Sequence, residues 1–260
     1  MSTSEATGLH SADLDRDVID VSGPDALSFL HSQMANDIND IAVGETVHSL
    51  LLEPTGHLVA LVRIVRHRDD ALTIDVERGY GEVVVKRLSK FILRAKVVMS
   101  VGTKVVRAFR GNNAREILRG ATSSSCALAQ PWWDDANAID VIGDIADIPA
   151  IGLLSDMKTV DAIRVDAGWP RLGVDIEAGD IPAATGVVAA AVSFTKGCYP
   201  GQELVERMDS RGTVAPVVLR VFSNVDEVSE ADVTSRGSKY VFARVKRGEL
   251  RGEELQALWH

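Results

Sequence analysis

Apolar and polar positions alternate along the chain in short runs broken by turns. Residues 17–21 alternate with period two and run into Ser22-Gly23-Pro24. After that turn Leu27, Leu30 and Met34 recur at helical spacing. The pattern predicts a strand, a turn, and a helix over 25–36, with Pro24 near the first helical position, where its missing N–H costs nothing. Two more apolar runs, 47–53 and 57–65, flank Pro54-Thr55-Gly56 and predict a hairpin. Residues 71–77 alternate again. Residues 81–95 predict a helix with Val84, Leu88, Phe91 and Ile92 on one side and Lys86, Arg87, Lys90 and Arg94 mostly on the other. Strands follow at 96–101 and 104–109, a short helix at 114–119, a loop at 122–125 and a strand at 138–142. Residues 156–167 read as a short helix or strand, and the stretch from Val217 onward reads as strands and hairpins through 239–245. Hairpins interleaved with helices favour an α+β fold with antiparallel sheet over a doubly wound parallel one.

Composition narrows the class. The chain has 260 residues, 46% hydrophobic and 25% charged, which excludes disordered and collagen-like chains. No apolar run approaches the roughly 20 residues of a membrane span, so no membrane crossing is expected. The first 17 residues are polar and acidic, with neither the basic start nor the apolar middle of a signal peptide. Two cysteines, Cys126 and Cys198, fit a reducing compartment, and a cytoplasmic location is expected. Two thiols also exclude a self-contained four-cysteine zinc or iron–sulfur site. The six histidines show no metal spacing. The net charge is −9 but is unevenly spread: residues 1–60 carry 1 basic and 10 acidic side chains, residues 61–110 carry 12 and 5. The basic block motivates an RNA contact, and a solvated helix face is the commoner fate of such charges.

The segment richest in chemistry is Phe194-Thr195-Lys196-Gly197-Cys198-Tyr199-Pro200-Gly201-Gln202-Glu203. Two glycines and a proline around a cysteine let the chain turn sharply. Residues 202–208 then predict a short helix, with Cys198 just ahead of its N-terminus. Helix N–H groups and Lys196 would both favour the thiolate; Glu203 and Glu206 oppose it. The physical alternative is a small buried filler at a tight turn. Cys126, which follows four hydroxyl-rich residues and matches no motif, reads as structural. Trp132-Trp133 offers a base-stacking platform or, more commonly, packing between lobes.

The run KGCYPGQE resembles the signature K-G-C-[FY]-x-G-Q-E of the YgfZ family, folate-binding proteins related to the aminomethyltransferase (T protein) of the glycine cleavage system. Residues 18–37, VIDVSGPDALSFLHSQMAND, resemble the family's opening strand, turn and helix, with Ala35 where the family has threonine. LLEPTGHLV at 51–59, residues 164–182 and ADVTSRG at 231–237 are further anchors in the family's order. The resemblance implies an α+β, three-lobed folate-binding fold of GcvT/YgfZ type ending in a short β-barrel. Residues 1–215 would form the folate-binding region, with lobes at about 1–112 and 113–215, and residues 216–260 the barrel-like domain. It implies tetrahydrofolate as cofactor, iron–sulfur client proteins as partners, and a role in maturing or repairing those clients that reaches tRNA modification indirectly. Cys198 and Lys196 would carry the chemistry. Asn36, Asp37, Arg164, Gln202, Glu203 and Arg207 would face the cofactor. Each has a structural alternative: turn formation for Asn36 and Asp37, an ion pair for Arg164, capping for Gln202 and Glu203, a solvated helix face for Arg207. No metal ligand set is expected, and a monomer is favoured over an oligomer.

Two departures set the ranking. Val59 or Ala60 stands where the transferases carry an aspartate at the folate nitrogen, and Ala184 falls in the region where they carry a glutamate after Ile-Pro. Neither an alkyl nor a methyl group transfers a proton. A folate-dependent one-carbon transferase therefore ranks second, and a non-catalytic protein- or RNA-binding scaffold third. Direct tRNA contact ranks below the client-mediated role. The 44 residues after Pro216 are short for a family barrel.

Overall fold

The alternating runs fold as strands and the 3.6-period runs as helices, nearly where the pattern puts them. The computed structural model describes residues 8–131, 135–212, 215–223, 225–249 and 251–259. The Trp132-Trp133 pair therefore lies outside the described residues. In chain order the elements begin with β1 (His10–Leu14), β2 (Arg16–Ser22), α1 (Ala26–Gln33), β3 (Thr46–Leu52), β4 (Leu58–Arg68), β5 (Ala71–Glu77) and α2 (Gly81–Ser89). They continue with β6 (Val98–Val101), β7 (Val105–Arg110), α3 (Ala114–Ala121), β8 (Ala127–Ala129), β9 (Ala138–Gly143), β10 (Leu153–Leu154) and α4 (Met157–Asp166). A 3₁₀ turn at Pro182–Ala184 precedes α5 (Val188–Ala191) and α6 (Gln202–Ser210). The last strands are β11 (Val217–Phe222), β12 (Val233–Arg236) and β13 (Val241–Lys246), followed by a 3₁₀ turn at Leu255–Leu258. No helix of the described residues is long and apolar enough to cross a membrane.

The contacts divide the chain into two units, each gathered from separate segments. The first comprises Met1–Leu27, Asp40–Val47 and Arg63–Val160; the second comprises Ser28–Asn39, His48–Val62 and Asp161–His260.

In the first unit, residues of β4 from Arg63 onward pair antiparallel with β5, β5 with β2, and β2 with β6. A second sheet runs β10-β1-β7-β9-β8, antiparallel except for the β1–β10 pair. Val18, Val65, Val106, Ala129 and Ile142 fill one buried cluster between strands of the two sheets. Leu9, Phe109, Ile139 and Val141 pack against Ala114 and Leu118 of α3 in another. The half-buried Cys126 packs beside that second cluster and against Gly143, where a Cβ would meet its Sγ at 2.4 Å, so the thiol fills core space.

Charges thread this interior. Arg63 donates from Nε to Asp75 (2.7 Å) and from Nη1 to Asp140 (2.5 Å). Arg16 pairs with Asp75 and Glu77, and Arg110 Nη1 donates to Asp140 at 2.8 Å. All but Glu77 are buried. Burial pushes the Asp140 carboxyl up, but the Arg110 and Arg63 guanidiniums outweigh it and hold it below the usual carboxylate range.

Helix α2 corrects one expectation. It stops at Ser89 rather than near residue 95, and Arg87, expected with the other cations on the outer side, is buried with its guanidinium 4.3 Å from the Phe91 ring centre. A guanidinium is weakly hydrated and stacks on rings, so it tolerates the inner face that lysine avoids.

The second unit holds the α1 C-terminus, the Pro54–His57 turn between β3 and β4, and α5, α6 and the antiparallel sheet β11-β13-β12. Where a short barrel-like region is expected after Pro216, the described residues form this three-stranded antiparallel sheet. Asp166 at the end of α4 accepts the N–H groups of Ser238, Lys239 and Tyr240 and so anchors the turn before β13. Trp169 is buried between the rings of His48 (5.5 Å) and Trp259 (5.7 Å).

Candidate functional site

The KGCYPGQE segment, residues 196–203, lies in the loop after α5 and enters α6, and three contacts hold it. The first is Lys196. Its ammonium donates to the carbonyls of Met34 (2.7 Å) and Asn36 (3.2 Å) and to that of His31, which lie in and just beyond the last turn of α1. Those carbonyls have no partner within the helix, and the dipole favours a cation there. Burial pushes the ammonium down to about 8, and Asp37 pulls the other way. Lys196 also lies 5.4 Å from the Tyr199 ring centre.

The second is Tyr199, which is buried directly after the exposed Cys198. Burial, with Glu206, pushes its hydroxyl up to about 12, so it stays neutral. Gln202 accepts the Tyr199 N–H at 2.9 Å, closing the turn before α6.

The third is a backbone contact between glycines. Gly201 has φ +89°, and a Cβ on it would lie 2.6 Å from the Glu53 carbonyl oxygen and 3.0 Å from the Gly56 Cα. Gly56 has φ +90°, and its Cβ would lie 2.4 Å from that of Leu204. Each position requires glycine for its left-handed backbone and for its lack of volume. Gly197, by contrast, has open space around it.

The structure thus brings Lys196, Asn36 and Asp37 together. Asn36 Nδ2 donates to the carbonyls of His48 (2.8 Å) and Ala190 (3.0 Å), its Oδ1 accepts from the Asp37 N–H, and its own N–H reaches Ser49 Oγ. Its amide is consumed in tying α1 to β3 and α5. Asp37 is half-buried, accepts from the Asn39 N–H at 2.9 Å, and lies 3.3 Å from His31 Nδ1. His31, a lone histidine in the sequence, is thereby part of this turn.

The remaining residues are placed elsewhere in the unit. Arg164 is half-buried and hydrogen-bonds Asp161 (2.8 Å), Asp175 (2.8 Å), the Trp169 carbonyl and Ser235 Oγ (3.0 Å). Asp175 also accepts from Thr234 Oγ1 (2.6 Å), so this hub joins α4 to β12. Glu203 and Arg207 pair with each other on the exposed side of α6. Sequence reasoning did not single out Asp175, which lies within the 164–182 anchor, or Ser49, a lone polar residue in an apolar run; both are buried. The unit also contains a cavity of about 290 Å³, lined by Pro182, Val205, Met208, Val218, Arg220 and Leu255 among others; none of the expected site residues lines it. No group of three or more His, Cys, Asp or Glu among the described residues is arranged to hold a metal ion.

Chemically, the site presents a free thiol on a loop whose neighbours on both sides are fixed. Asp37 keeps a partly exposed carboxylate, the acceptor that a ring with N–H groups would need, whereas the Lys196 ammonium spends its three N–H donors on the α1 carbonyls. Asn36 and Gln202 serve as scaffold around it.

Comparison with solved structures gives the class. The chain superposes on the glycine cleavage system aminomethyltransferase T of Bartonella henselae with a TM-score of 0.77, over 95% of this chain and 83% of that one, at 15% identity. The fold is thus the α+β fold of the T protein. The chain belongs to the family of the GCVT N-terminal domain, whose model matches residues 16–156. Within it, the chain is similar to the tRNA-modifying protein YgfZ of Edwardsiella ictaluri, 29% identical over 219 residues, and to that of an Enterobacter species, 26% identical over 234. The matches cover 75% and 81% of this chain and 65% and 71% of those proteins, so the chain spans about two thirds of the length of these relatives.

Proposed function

We propose that the protein is a YgfZ-type, tetrahydrofolate-binding factor of the cytoplasm that supports the maturation or repair of iron–sulfur proteins, with Cys198 as its functional thiol. Through one such client it affects tRNA modification, in keeping with the name its relatives carry. The observation that carries this reading is the exposure of Cys198 between two fixed neighbours, Lys196 on the α1 carbonyls and the buried Tyr199. A thiol that merely filled a turn would be inside. One thiol cannot hold a cluster, so any cluster contact is shared with a client or a small thiol.

In this reading residues 1–215 are the folate-binding region, with lobes at about 1–112 and 113–215, residues 216–260 are the barrel-like domain, and the protein acts as a monomer. Lys196 positions the Cys198 loop, and Asp37 meets the pterin. Asn36, Gln202 and Arg164 shape the surroundings, while Glu203 and Arg207 form the outer rim on α6. A one-carbon transferase is the weaker reading, because Val59, Ala60 and Ala184 are buried and apolar.

Two measurements test it. Replacing Cys198→Ala in cells lowers iron–sulfur client activity while the purified variant keeps its melting temperature; unchanged client activity would remove the thiol's role. Calorimetric titration of tetrahydrofolate gives heat with the wild type and less with Asp37→Ala; no heat with the wild type removes the cofactor.

A further inference from the structure

The basic block of residues 61–110 resolves into two populations. Seven of its twelve cations are in ion pairs within the first unit: Arg63 and Arg110 in the buried network, Arg66 with Asp69, Arg68 with Asp70, Arg78 with Asp15 and Asp17, Lys104 with Asp20, and Arg107 with Asp13. Arg87 is buried against Phe91. The other four, Lys86, Lys90, Arg94 and Lys96, are exposed, and their side chains have no acidic partner among the described residues. They fall within eleven consecutive residues. Lys86 and Lys90 share one helical stripe, and Arg94 and Lys96 follow in the turn before β6. The acids beside them are Glu82, exposed at the start of α2, and Asp25, whose carboxylate accepts the Lys96 backbone N–H at 2.7 Å.

We propose that this face, α2 with residues 90–96, is a contact surface for RNA phosphates. Four unpaired cations on long stems in an otherwise acidic chain concentrate a positive field where a polyanion can release its counterions. A lipid surface fits less well. Val84 and Leu88 of α2 are buried in the unit's own core, and the exposed apolar residues nearby, Val83, Leu93 and Val98, are single positions on a helix, a turn and a strand rather than one continuous helical face that could insert. Leu93, 88% exposed between Lys90 and Arg94, adds apolar area that the sugar edge of a strand covers. The surface belongs to the first unit and shares no residue with the Cys198 and Asp37 site, so it does not depend on the thiol or cofactor reading.

The test is fluorescence anisotropy with a labelled tRNA transcript across a salt series. Three full-length proteins are compared: wild type, a Lys86→Ala/Lys90→Ala/Arg94→Ala/Lys96→Ala variant, and a matched control with Arg119, Lys158, Lys239 and Lys246 replaced by alanine. Removing four phosphate contacts flattens the slope of log affinity against log salt by about three and weakens low-salt binding at least tenfold. The control, with the same change in net charge, stays within about threefold of wild type. Equal losses in the two variants would overturn the proposal, as would absence of wild-type binding at low salt. Binding of the wild type to phosphatidylserine vesicles with none to tRNA would overturn it as well. Melting curves for all three proteins exclude misfolding, since every substituted side chain is exposed.

Discussion

The interior of the first unit and the KGCYPGQE loop of the second treat positive charge in opposite ways. In the first unit Arg16, Arg63 and Arg110 are matched by Asp75, Asp140 and Glu77 from other strands, 12 to 77 residues away in the chain. In the loop, Lys196 is held by three neutral carbonyls at the end of a helix, with Asp37 nearby but no direct ion pair. The first arrangement makes each cation depend on a particular carboxylate. The second makes it depend on where a helix ends. A carboxylate can be deleted by one substitution, whereas helix carbonyls cannot, so the two regions should fail differently.

The largest expected effect comes from breaking the network. Asp140→Ala leaves Arg63 and Arg110 buried beside an empty place and should cost about 3–5 kcal/mol, read as a fall in the urea midpoint. Next is the glycine contact. Gly201→Ala puts a methyl 2.6 Å from the Glu53 carbonyl at φ +89°, for a loss of about 3 kcal/mol, whereas Gly197→Ala should stay within about 0.5 kcal/mol. If both glycines proved equally tolerant, the loop would not be held at the hairpin turn. Lys196→Met removes the cation but leaves the carbonyls, and should cost about 2 kcal/mol.

The smallest effect is a titration. The Lys196 side chain should lose its proton near pH 8, followed by NMR of its ε-methylene, and Asp37→Asn should move that midpoint lower still because Asp37 raises it. Its folded value lies below the ordinary 10.5. Between those pH values the unfolded chain holds the extra proton, so this group's contribution to stability rises with pH across that window and is flat below it. A midpoint near 10.5 would mean that the ammonium is solvated.

Most of the fold was legible because periodicity reports burial. The alternation over residues 71–77 predicts a strand and forms β5, and the Pro54-Thr55-Gly56 turn joins β3 to β4 as the pattern predicts. What escaped was short or depended on distant partners. The strand β1 lies in a polar stretch, HSADL, and owes its state to pairing with β7. The two-residue β10 has no periodicity to read. The pattern predicts α2 too long because Phe91 and Ile92 continue the apolar spacing after the helix ends at Ser89. At the site the octapeptide was legible as a unit, but not the direction of its lysine. Spacing put Lys196 beside Cys198; the fold sends its ammonium to α1, a partner about 160 residues earlier that no local pattern announces. The basic block was legible only as a sum, because its pairing depends on acids brought in from residues 13–20 and from Asp140.

The meeting of Gly56 with Gly201 has a consequence for transplantation. The octapeptide takes its shape partly from a hairpin turn some 145 residues away that contributes no charge, donor or thiol of its own. Grafted alone onto another scaffold, KGCYPGQE would carry its cysteine but lose the surface that Gly201 rests on. The smallest portable module is therefore discontinuous: the motif, the turn around Pro54–Gly56, and a helix end to receive the lysine.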